Sequence, residues 1–294
     1  PIFRRNMSNS IETQKKGLSN RQSYLTVTVI TGALFAILYS FIYHLQSLNK
    51  SPAALAMPDM HMQNMNKYWS FPVLQASGLV GILTAYIAIL LGTHQSSKTK
   101  KWLGLDYRSI DQFHRHFSIA TVVLVAIHAY ASLMDAMGDS WKTVFLFNGW
   151  ANPKTGWPAA VWGYNLGVFG MYAILLLGPT FYFRRKMGVK IWKYIHRFII
   201  LFYVASLWHT LILGVEFGYY KWLRPITWLI QIPVLFYLSV RFNELGKKHE
   251  AKKTGINYIS AKLLQFVFLL GILAILVIVL TGNSDFIKNN FTGL

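Results

Sequence analysis

Seven blocks of apolar sequence, each near the length needed to cross a bilayer, restrict this chain more than any other feature. They run Tyr24 to Gln46, Phe71 to Thr93, Phe113 to Met137, Val161 to Phe183, Ile191 to Gly214, Ile226 to Arg241 and Ile259 to Thr281. About 20 apolar residues in a helix cross about 30 Å of hydrocarbon. Backbone groups in lipid find no water, so a spanning segment satisfies them within its own helix. The sixth block is the shortest and is interrupted by Pro233. The expected fold is all-α: a polytopic membrane helix bundle with a six-span core and a seventh, C-terminal span.

Charge orients the bundle. The formal net charge of +19 would suit nucleic acid if it were gathered on one soluble face. Instead 22 of the 29 Lys and Arg fall in segments on one side of the seven blocks, and seven fall on the other. Cytoplasmic loops carry such an excess, so the N-terminus is expected inside and the C-terminus outside. The same loops suit anionic headgroups. A nucleic-acid partner is not expected. The block after the basic tail is too long for a signal-peptide core and reads as a retained span. The expected organisation is a basic cytoplasmic tail over 1–22, a six-span unit over 23–242, and a basic loop, extra span and short outer tail over 243–294. The chain is expected in a cell membrane, the bacterial plasma membrane first. It has no cysteine, which excludes disulfides, thiolate-held iron–sulfur clusters and Cys-anchored haem.

Ionisable residues inside spans point to function. The stretch Gln112 to Tyr130 reads QFHRHFSIATVVLVAIHAY, with His114 and His128 of the third block separated by 14 residues; the fifth carries His196 and His209, separated by 13. Fourteen residues of helix rise about 21 Å and return to within about 40° of the same face. Both blocks run inside to outside in this topology. His114 and His196 therefore share an inner level, and His128 and His209 an outer one. Imidazole is a common metal ligand and an axial ligand of haem iron, so two levels of paired histidines suit two stacked haems. Thirteen residues leave His196 and His209 about 140° apart. Either the fifth helix is distorted or the two groups approach it from different sides. His116 rivals His114 for the inner position but is about 120° out of register with His128; it reads as an interfacial residue, as do His44 and His94.

The quartet resembles the ferric-reductase-like transmembrane domain of NADPH oxidases, ferric reductases and the haem subunit of bacterial methionine sulfoxide reductase. The resemblance covers roughly Tyr24 to Phe242. It implies a di-haem core with two b-type haems: His114 and His196 as axial ligands of the inner haem iron, His128 and His209 of the outer one. It also implies an aromatic ring between the haems at Phe202. Arg115 and Arg197 each follow an inner histidine, and arginine grips carboxylates bidentately, so both are candidates for the inner haem propionates. Tyr107, Arg108 and Trp192 are candidates for lining the inner mouth.

The pattern departs from the family in two places. After the sixth block come NELGKKHEAKKTG and a seventh span, with no Gly-rich dinucleotide motif. Electrons would come from a separate flavoprotein or from membrane quinol. The oxidases carry a histidine four residues after the outer ligand of the third span; Ser132 stands there, which argues against superoxide production. The expected function is transmembrane electron transfer to an extracytoplasmic acceptor, first of all ferric iron. The second expectation is a haem-bearing subunit relaying electrons to a separate extracytoplasmic reductase. A third, of another class, is a His/Met metal transporter.

On the outer side, Met57, Met60, His61, Met62 and Met65 cluster in one loop, and thioethers favour Cu(I). Asp59, Asp135, Asp139 and Glu216 offer hard oxygen ligands to a ferric ion. Trp141, Trp150, Trp157 and Trp162 suit the membrane interface or a lid over the outer haem.

Overall fold

A computed structural model of the chain describes residues 19–56, 61–97, 107–134, 140–147, 158–251 and 255–282. Among the described residues every regular element is a helix. The principal ones are α1 (Asn20–Ser47), α2 (Ser70–Ser97), α3 (Tyr107–Leu133), α4 (Pro158–Leu177), α5 (Thr180–Met187), α6 (Val189–His196), α7 (Ile199–Leu213), α8 (Leu223–Leu229), α9 (Ile232–Ala251) and α10 (Gly255–Leu280). Six stretches are long and apolar enough to cross a membrane, and the bent pair α4–α5 is a further span if it counts as one. The chain is thus an all-helical, multi-pass membrane protein.

Local sequence explains where these helices start, bend and stop. α1 opens on a capping box, in which Ser19 Oγ accepts from the Gln22 amide and Gln22 Oε1 accepts from the Ser19 amide. Between α4 and α5 the axis turns by 54° at Gly178–Pro179. Proline lacks an amide hydrogen and clashes with the preceding turn. At Gly178 a Cβ would lie 2.7 Å from the Ile174 carbonyl oxygen, so no larger residue fits. Pro233 does not interrupt the sixth span. It stands in the first turn of α9, where a missing amide costs nothing, and the apolar stretch runs from Leu223 to Ala251, longer than its sequence suggests.

Four helices form a ring. α2 packs along α3 and also against α7; α4 packs along α7 and touches α3. α3 and α7 occupy opposite corners and make no extensive contact with each other. α1 leans on α2 and α3, where Ser23 Oγ donates to Gln112 Oε1 at 3.2 Å. α9 backs onto α2, and α10 lies outside, against α9 and α8.

The contacts within the ring are built on glycine. On α2 and α3, Gly78 faces His128, Gly81 faces Leu124 and Gly92 faces His114. On α4 and α7, Gly163 faces Leu213, Gly167 faces His209 and Gly170 faces Ser206. Each set follows one antiparallel register. Small residues at these spacings let helix backbones approach closely in lipid.

Candidate cofactor site: two levels of facing histidines

The histidines bridge the diagonal of the ring. His114 on α3 faces His196 on α6 with ring centroids 6.1 Å apart and planes 85° apart. His128 on α3 faces His209 on α7 at 6.1 Å and 87°. We call these the first and second levels. All four rings are half-buried rather than sealed. His116 is not a rival. It turns to α1, where its Nε2 lies 3.3 Å from Asn20 Oδ1 and its ring packs edge-on against Tyr24.

The spacing anomaly between His196 and His209 has a local cause. The amides of Arg197, Phe198 and Leu201 bond to carbonyls three residues back, at Tyr194, Ile195 and Phe198. This is 3₁₀ winding, which turns about 20° more per residue than an α-helix. Three or four such residues recover about 60–80° of the roughly 140° deficit. The fifth span is distorted between its two histidines, the first of the two possibilities left open by the spacing.

Three of the four imidazoles sit in the same socket. His128 Nδ1 donates to the Leu74 carbonyl at 2.9 Å, and its ring lies over Gly78, four residues on. His114 Nδ1 donates to Ala88 at 2.8 Å, with Gly92 beneath the ring. His209 Nδ1 donates to Gly163 at 2.9 Å, with Gly167 beneath. A carbonyl only accepts, so Nδ1 carries the hydrogen and Nε2 keeps its lone pair. Metal-bound histidines are commonly fixed and made more basic by such a bond. A Cβ on Gly78 or Gly92 would stand 3.0 Å from the nearest ring atom, and one on Gly167 only 2.5 Å.

His196 is held differently. It stacks on Trp192 at 5.0 Å and 20°, and no hydrogen bond to its ring is found among the described residues. The register that sets Gly167 against His209 would set Thr180 against His196, just beyond the Gly178–Pro179 bend. The bend brings a cluster there instead. Phe181 packs on Trp192, Arg184 lies 3.9 Å from the Phe181 centroid and Arg115 5.5 Å from it. Trp192 Nε1 is a buried donor without a partner among the described residues.

The other sequence candidates distribute as follows. Arg115 is at the first level and pairs with Asp111 at 3.3 Å. Arg197 is exposed; Arg184, which the sequence did not single out, lies over the same Phe181 ring that Arg115 approaches. Tyr107 and Arg108 are exposed. Phe202 lies between the two levels and packs on Phe169 at 4.8 Å. His94 is buried, edge-on to Tyr237. Met57, Asp59, Met60, Asp135, Asp139, Trp150 and Trp157 lie outside the described residues. Met62 is fully buried in an apolar cluster with Tyr68 and Phe71, and the Met65 sulfur accepts from Gln46 Nε2 at 3.5 Å. Trp141 and Trp162 are exposed, as interfacial tryptophans would be. Glu216 is buried, and burial pushes its carboxyl above the usual range.

Could these residues hold haem? A bond from metal to imidazole nitrogen is about 2 Å, and the ring centroid lies about 1 Å beyond it, so two imidazoles trans on one metal place their centroids about 6 Å apart. Both pairs meet that separation. Among the described residues no group of three or more His, Asp or Glu converges on a metal position. A metal here would have two protein ligands on opposite sides and need its remaining ligands from a macrocycle. Two guanidinium groups and an unpartnered indole N–H at the first level match carboxylates of such a group. The donor set fits haem.

Residues 77–207 match the family model of the ferric reductase like transmembrane component. Searches of curated proteins and of solved structures returned no match. The ferric-reductase-like segment contains His114, His128 and His196 with the glycines Gly78, Gly92, Gly163 and Gly167, and ends two residues before His209. No flavin–nicotinamide domain is detected. The match points to a membrane-embedded oxidoreductase component that transfers electrons across the bilayer.

Proposed function

We propose that the chain carries electrons through the membrane by way of two b-type haems, one between His114 and His196 and one between His128 and His209. The observation that carries this reading is the matched pair of facing imidazoles, both at 6.1 Å, across a ring whose two histidine-bearing corners otherwise make no extensive contact among the described residues. A bound haem supplies a one-electron ferric/ferrous couple. The protein does the rest. His114, His128 and His209 are pre-oriented by backbone carbonyls, so little ordering remains when a metal binds. Arg115, Arg184 and Trp192 would hold the propionates of the first-level group. The ring of helices fixes the levels about 21 Å apart along α3, with Phe202 and Phe169 between them. No side chain is required to transfer a proton.

With the N-terminus inside, the first level faces the cytoplasm. Electrons would enter there from a separate flavoprotein or quinol and leave at the second level to an extracytoplasmic acceptor, with ferric iron first. Relay to a separate extracytoplasmic reductase uses the same core. A His/Met metal transporter is disfavoured because Met62 is buried and the Met65 sulfur is engaged.

The test is an oxidised and dithionite-reduced visible spectrum of the purified protein, with haem measured as the pyridine haemochrome. A sharp reduced α band in the b-type region and two haems per chain are expected. A colourless protein that takes up no added haem would overturn the reading.

A further inference from the structure

The two levels are built unequally. At the second level both rings are clamped by a backbone carbonyl and a glycine. At the first level only His114 is. His196 rests on the face of Trp192, and the helix that bears it is bounded by a glycine before it and a 3₁₀ turn after it. α6 has eight residues. Before it stands Gly188 at φ +86°, where an added Cβ would meet nothing within 4 Å. After it comes the 3₁₀ turn around Arg197 and Phe198. His209, in contrast, projects from the straight part of α7, seated on the close α4 seam.

An Nδ1–H bonded to a carbonyl fixes ring orientation and strengthens the opposite nitrogen as a ligand. The imidazole without that bond is the weaker ligand, and here it is held by its stacking on Trp192. We infer that His196 is the displaceable ligand of the pair. The first level opens on its side to a small exogenous ligand of ferrous haem iron, of the class of carbon monoxide, nitric oxide and dioxygen. The second level stays closed. The site becomes a place of ligand binding as well as a step in electron transfer. Binding of this kind would need no change of oxidation state: the His196 imidazole would leave as the exogenous ligand enters, and α6 would take up the movement. This rests on the haem reading above.

The experiment uses the purified, haem-replete protein reduced with dithionite and mixed with carbon monoxide. Haem is counted first; two haems per chain uphold the reading on which the inference rests, and none overturns both. With two haems present, half of the haem is expected to give a carbon monoxide difference spectrum. The variant His114→Ala/His196→Ala, left with the second level, should bind none. Carbon monoxide binding by that variant, or no binding by the wild-type protein, would overturn the inference. If the double variant does not fold, kinetics decide. The binding rate should saturate with carbon monoxide concentration, because departure of His196 limits it, and the limiting rate should rise several-fold in Trp192→Ala. A limiting rate unchanged by that substitution would count against displacement of His196.

Discussion

Gly78, Gly92 and Gly167 matter through what they leave out. Each provides the floor of a histidine socket, and the carbonyl four residues earlier provides the hydrogen-bond acceptor. Gly167→Ala has the least room and should weaken haem binding at the second level about 10–100-fold, as loss of an outer-shell partner commonly does; the purified variant should show half the wild-type haem by pyridine haemochrome. Gly92→Ala should act in the same way on the first level alone. Glu216 supports a different measurement. Burial makes its folded carboxyl hold a proton more tightly than the unfolded one. That preference favours folding fully below the ordinary carboxylate value and is lost as pH rises through the raised one. Glu216→Gln removes the penalty of burying the charge. Its thermal midpoint should match that of the wild type near pH 4 and exceed it at pH 8. Equal midpoints at both pH values would refute this.

Among the elements, the histidine pairs were legible in sequence because the chemistry demands one residue type at a helical spacing. Their sockets were not. Glycine is common in membrane helices, and only the antiparallel register of α2 with α3, and of α4 with α7, sets particular glycines beneath particular rings. Arg184 was hidden for a related reason, since the bend at Gly178–Pro179 carries it to Phe181 and Trp192. Arg197 was chosen by adjacency to His196, yet neighbouring residues on a helix point about 100° apart, and it is exposed. The sixth span was underestimated because its Pro233 falls in a first turn. α10 separates from this machinery. It packs on α8 and α9, outside the ring and beyond the segment matched by the family. Lipid tails are as apolar as leucine, so the face of α9 that it covers tolerates exposure to the bilayer. A chain ending at residue 253 should retain both haems; loss of either would show that α10 supports the ring.

For the molecule as a whole, the charge bias gives a direction that helix packing alone does not. The absence of cysteine makes that direction easy to measure. Single replacements Ser10→Cys and Thr292→Cys, each in an otherwise wild-type chain, are expected to react oppositely with an impermeant thiol reagent applied to intact cells: Thr292→Cys labelled, Ser10→Cys protected until the membrane is opened. The reverse pattern would invert the assignment of donor and acceptor sides while leaving the two levels intact.

The sockets for His114 and His128 both lie on α2, the span immediately before the helix that bears them. One hairpin therefore contains a finished half of each level. A chain made from its N-terminus completes that hairpin while α7 is still unsynthesised. The nascent protein would pass through a stage with two oriented imidazoles in place and their partners still to come. Closure waits for the later helices, and within them His209 arrives with its own socket on α4 while His196 arrives with none. Biogenesis of the two sites would thus begin together and end in sequence, with the second level as the latch.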